Sequence, residues 1–196
     1  MRKHGSHGRQ ESGPSHVWRI PPMWLVILCW LVALGSGAYL SFVLLPSLEY
    51  MAQGLLLDRR PFGFDLEEAR GILYHLGETG RASVQFPYLL IDVVLAISLS
   101  AALCLGGLRL LGSSNSFSGR FSKLVPAIAV IMPILAGLFD LWENWQLYRI
   151  MDIGLDIREA DIAALKRATS FKFGFYLFGI LGFISIIFSI LLQRKK

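Results

Sequence analysis

The sequence is poor in the groups that most often carry protein chemistry. It holds two cysteines and four histidines in 196 residues, and only 17% of its residues are charged. Cys29 and Cys104 stand singly inside apolar runs, with no C-x-x-C spacing. That argues against a disulfide framework or thiolate site, and both are expected as buried apolar side chains. His4, His7 and His16 are scattered through a polar N-terminal stretch, His75 lies between apolar runs, and no H-E-x-x-H or similar pair occurs. No P-loop, nucleophile elbow or dinucleotide fingerprint is present. No cofactor is expected, and no dedicated metal site.

What is abundant is apolar surface. Hydrophobic residues make up 54% of the chain, and the mean hydropathy is +0.54. That is too apolar for an ordinary soluble domain and points to a membrane protein. A bilayer-spanning helix needs about 20 apolar residues, and four stretches reach that length, about 23–46, 86–111, 124–148 and 171–193. Open sheet edges cannot face lipid, so each is read as a helix. The expected fold is all-α: a four-transmembrane-helix bundle over 23–196, preceded by a disordered cytoplasmic tail over 1–22 that is rich in Gly, Ser and His. The first apolar run, about 24 residues, exceeds a signal-peptide core of about 7–15 and is read as a retained span.

The formal charge of +5 is distributed as a membrane protein distributes it, not as a nucleic-acid binder does. Arg2, Lys3, Arg9 and Arg19 precede the first span; Arg109, Arg120 and Lys123 surround the link 112–123; the chain ends in "QRKK". These segments are expected in the cytoplasm. The loop 47–85 sets six acids against four arginines, and the link 149–170 balances four of each sign. Both are expected outside, which places both termini inside and the chain in a bacterial inner membrane as a multi-pass protein. In the first outer loop, Asp65 and Glu68 form a capping-box pattern, and Gly77 is a natural stop. They predict a short amphipathic helix over 66–76 with Leu66, Leu73 and Leu76 on one side. "DIREADIAALKRATSFKF" repeats the device with Asp156 and Glu159 and runs toward the fourth span.

The third span ends in "GLFDLWENWQLY". Residues three and four apart share a helix face, so Asp140, Glu143 and Asn144 project together, on one stripe with Pro133, Ala136 and Gly137. Small residues at that spacing let helices approach closely. The stripe should therefore face the bundle, leaving Trp142 and Trp145 at headgroup level. At 1.5 Å per residue, Asp140 lies about 12 Å below the outer end of its span and Asp92 about 9 Å below the outer end of the second span. Lys172 opens the fourth span on that side, and Arg81 precedes the second. Asp92, Asp140, Glu143 and Asn144, with Arg81 and Lys172 as counter-charges, form the candidate site.

Two readings of this cluster compete. In one it is a clasp: the acids pair with Lys172 and Arg81, and Asn144 and Gln146 add interhelical hydrogen bonds. In the other it lines a pocket, since ionisable groups inside a membrane are functional by default. Oxygen ligands alone would favour Ca, Mg or Mn, but no ligand spacing is specific for a metal. Tyr39, Tyr88 and Tyr176 are read as an interfacial belt.

"LGETGR" over 76–81, the downstream Asp92, "DLWEN" over 140–144 and "TSFK" over 169–172 resemble the L-G-x-x-G-R, D-x-x-E-N and T-x-x-K pattern of a family of small bacterial four-helix membrane proteins. The matching positions are Leu76, Gly77, Gly80, Arg81, Asp92, Asp140, Glu143, Asn144, Thr169 and Lys172. The family usually carries an aromatic residue shortly after the Gly-Arg, where this chain has Val84 and Phe86. The resemblance implies the four-helix fold and the same residues; it implies no activity. The expected function is binding of a small amphiphile, ion or membrane partner at the polar cluster. The alternative is a membrane-embedded enzyme using an Asp/Glu pair for acid/base chemistry on a lipid-like substrate. Expected partners are the lipid bilayer, an amphiphilic small molecule or a membrane protein, and a second copy of the chain as homo-oligomer; nucleic acid is not among them.

Overall fold

A helix satisfies the backbone of an apolar run internally, and the computed structural model, which describes residues 20–60, 63–112 and 124–193, is almost wholly helical over those residues, with no strand among them. Its elements are α1 (Met23–Tyr39), α2 (Leu45–Ala52), α3 (Leu66–Ser83), α4 (Leu89–Gly112), α5 (Leu124–Ile153) and α6 (Glu159–Gln193). Four helical stretches, Met23–Ala52, Leu66–Gly112, Leu124–Asp156 and Glu159–Leu191, are long and apolar enough to cross a membrane. Nearly all of the expected N-terminal tail, and the basic link 113–123, lie outside the described residues.

The helices outrun the apolar stretches that nucleate them. The link expected over 149–170 is almost wholly helical: α5 continues to Ile153, a short turn covers Gly154–Asp156, and α6 begins at Glu159. One π-helical turn, Leu40–Leu44, joins α1 to α2, where Pro46 starts a new helix. α3 opens on the capping box: Asp65 Oδ1 accepts from the Glu68 amide (2.8 Å) and Glu68 Oε2 from the Asp65 amide (3.1 Å). Gly77, at φ 59°, kinks α3 but does not end it: the helix expected over 66–76 continues to Ser83. A last turn over 78–83 and the extended backbone of Phe86 before Pro87 then lead into α4.

α4 lies between α1 and α5, and α5 packs along α6. The seams are made by small residues. A Cβ on Gly137 would stand 3.0 Å from Ser100 Cβ, so α5 can approach α4 this closely only with glycine there. Gly179 and Gly182 of α6 meet Pro133 and Ala129 of α5 in the same way. Cys29 and Cys104 are free and only half-buried, a correction to their expected burial, because each sits at the edge of its helix's packed face.

Large apolar side chains are buried elsewhere, at the end of the bundle where α5 finishes and α6 starts. There α2, the turn Leu57–Arg59 and α3 cover the helix ends, and Leu48, Leu57, Leu73, Leu147 and Leu165 form the centre of one continuous core. On α3, Ala69, Ile72, Leu73 and Leu76 face this core while Glu67, Arg70, Tyr74 and His75 do not.

Candidate functional site

The stripe read on α5 is buried as a unit: Pro133, Ala136, Gly137, Asp140, Glu143 and Asn144 all face neighbouring helices. It lies just below the apolar core, where α4, α5 and α6 meet. Trp142 and Trp145 stand off the stripe and are exposed.

Lys172 is the centre of the cluster. Its Nζ lies 3.2 Å from Asp140 Oδ1 and is bonded to Glu143 Oε2. Both carboxylates lie one turn apart on α5, and the flexible lysine of α6 reaches between them. Glu143 is 0% exposed, and its other oxygen accepts from the hydroxyl of Thr169, one turn before Lys172. On the far side, Tyr176 donates to Asp140 Oδ2 (3.2 Å) and lies 3.3 Å from Ser100 Oγ of α4. The polar chain Ser100–Tyr176–Asp140–Lys172–Glu143–Thr169 therefore ties three helices together. Asp140 Oδ1 meets the ammonium as an ion pair without hydrogen-bond geometry.

Asp92 of α4 is within electrostatic reach of Asp140 and Lys172 but closes no ion pair among the described residues. Asp92, Asp140 and Glu143 all lie within electrostatic reach of Lys172. Arg81 departs from expectation. Its Nη1 donates to the Leu73 carbonyl (3.4 Å) and its guanidinium packs against Gly154, so it braces α3 against the turn after α5 and answers none of the acids. The break at Gly77 re-aims the last turn of α3, which carries Arg81 away from α4's carboxylate.

Three residues escaped the sequence reading. Tyr176 and Tyr88, expected in an interfacial belt, turn their hydroxyls inward. Tyr88 donates to Asp58, and both residues are buried. A signal existed for each: Thr169, Lys172 and Tyr176 recur at three and four residues on α6, and Tyr88 stands four residues before Asp92. Asp58 had none. It sits in the turn Leu57–Arg59, and only the folding of that turn onto the bundle brings it to Tyr88 and within electrostatic reach of Asp92, Asp140 and Glu143. Three carboxylates thus act on the one ammonium of Lys172, and Asp58 acts on all three of them.

Asn144 lies beside the Asp92 carboxylate. It is 5% exposed, and although its amide faces Asp92, neither its Nδ2 nor its Oδ1 closes a hydrogen bond. Most buried amides are paired, and an orphan calls for an explanation. Asn144 also lines a groove of about 370 Å³ on the flank of the bundle, between α4 and α5. Leu89, Val93 and Leu141 form its walls, and Phe86, Trp145 and Tyr148 its rim. Trp145 and Tyr148 stack there at 6.0 Å. Gln85, also in the lining, bonds the Tyr148 carbonyl (3.5 Å) across the end of the groove. Among the described residues no group of three His, Cys, Asp or Glu converges as metal ligands. No family model, curated protein or solved structure matches the chain.

Proposed function

We propose that this chain is a multi-pass protein of the bacterial inner membrane, both termini cytoplasmic, that binds a small amphiphile at the polar end of its bundle and does no covalent chemistry there. The observation that carries this reading is Asn144: a buried amide whose Oδ1 closes no hydrogen bond and which lines an apolar groove open on the bundle's flank. Binding sites of about 300–1,000 Å³ with apolar walls and a few convergent polar groups are the usual form of a small-molecule site.

The geometry supports giving the two roles left open in the sequence to different groups, with the acids and Lys172 as a clasp. Glu143 has both oxygens engaged and no exposed surface, so it cannot touch a substrate, which a general acid or base must do. Asn144, facing the groove beside the clasp, is the group left for a ligand. The basic residues that flank the apolar runs support the orientation, with α2, α3 and the acids on the outer side. The motif resemblance supports the bacterial inner-membrane placement and supplies no activity.

Native mass spectrometry of the full chain in mild detergent tests the binding reading. A bound mass of lipid-like composition that survives purification is expected. A chain that carries no such mass, and acquires none from an added lipid extract, would sink it. Reporter fusions at either terminus check the orientation; a terminus found outside overturns it.

A further inference from the structure

We infer that the α4–α5 groove selects a neutral amphiphile whose head is a hydroxyl or amide, held by the side chain of Asn144. The inference deepens the binding reading above and rests on it. The first premise is the free valence of Asn144. Its Nδ2 faces the Asp92 carboxylate without closing a hydrogen bond, and its Oδ1, an acceptor, is unused. The complementary head donates to Oδ1, as an alcohol, a glycerol or a carboxamide does.

The second premise is the charge of the lining. The groove contains no charged side chain. The nearby ammonium of Lys172 is already shared by Asp140 and Glu143, so it is not available to an anionic head. An anionic head at Asn144 would find no free cation in the lining. A cationic head would have to leave water without a carboxylate in the lining to replace its hydration, a cost that a neutral head avoids. The third premise is the wall. Leu89, Val93 and Leu141 offer an alkyl chain a continuous apolar surface, and Leu90, half exposed beside them, leads it out to the flank. The head then sits at Asn144 and the tail runs outward into the surrounding hydrocarbon, with Trp145 and Tyr148 at the rim.

The test uses the full chain in detergent and three probes of one chain length: dodecanoyl glycerol, dodecyl phosphate and dodecyltrimethylammonium. Binding is read by tryptophan fluorescence, since Trp145 stands at the rim. Asn144→Leu removes the amide at similar volume, and Val93→Trp fills the groove while leaving the amide in place. The expected result is saturable binding of the glycerol ester at least tenfold tighter than either charged probe. Both variants should weaken it about tenfold or more, a loss of about 1.4 kcal/mol, with thermal stability retained in Asn144→Leu. If a charged probe binds as tightly, or Asn144→Leu binds normally while Val93→Trp does not, the head-group assignment falls and the binding reading stands. If an amphiphile binds and Val93→Trp leaves it unchanged, the groove is the wrong place. If none of the three binds and the purified chain carries no lipid mass, both readings fall.

Discussion

The two halves of this bundle use the same apolar residues in opposite ways. At the end where α2 and α3 cover α5 and α6, large side chains are enclosed: Leu48, Leu57, Leu73 and Leu147 have almost no exposed surface. Along the rest of α1, α5 and α6 the large residues point out, among them Leu31, Leu34, Leu138, Phe178 and Phe188, and the packed positions include Ala33, Ala129 and Ala136, with Ala96 of α4 facing them. Burying a leucine stabilises a fold only if the alternative is water. Where the alternative is hydrocarbon, that gain disappears and helices associate through close contact of small residues. On the membrane placement proposed above, the inversion marks which part of the chain meets water and which meets lipid. The clasp lies at the boundary between the two regimes, where an ion pair is dry enough to be specific yet close enough to the capped end to form.

The sharpest way to break the comparison is at that boundary. Lys172→Met should destabilise by about 3–5 kcal/mol, because it strands two buried carboxylates rather than removing a favourable pair. Thermal unfolding in detergent measures it, and adding Asp140→Asn and Glu143→Gln should restore part of the loss. A mild effect would mean that the acids are not ionised together and that the clasp is held by hydrogen bonds alone. Next comes the contrast itself. Leu147→Ala, at 0% exposure, should cost about 2–5 kcal/mol as a cavity mutation. Asp65→Ala removes the capping box and should cost about 1 kcal/mol, seen as faster amide exchange over 66–76 with α5 and α6 unchanged. Smallest of all should be Leu138→Ala, at 57% exposure on the other half of α5, within about 0.5 kcal/mol of the parent. Equal losses at Leu138 and Leu147 would erase the distinction between the halves.

Much of this was legible beforehand, and particular residues show why. Helix periodicity is local, so the α5 stripe from Pro133 to Asn144 and the Asp65–Glu68 cap could be read from spacing alone. Depth along a helix is also local, which is why Asp92, Asp140, Glu143 and Lys172 were placed at one level. Partner choice is not local. Arg81 had the right depth and charge but is turned toward Gly154 by the break four residues before it. Tyr176 had an interfacial composition around it but faces Ser100 and Asp140.

The amino-acid sequence by itself determined four membrane-length apolar helices and the face of α5 that carries the polar residues, because both follow from composition and a fixed rise and turn per residue. Only the tertiary structure decided that Lys172 alone answers Asp140 and Glu143, that Asp58 and the two tyrosines join them, and that Asn144 is left over beside a groove. Those outcomes depend on the rotation and separation of neighbouring helices, set by contacts such as Gly137 against Ser100, and a shift of a few ångströms changes which groups can bond.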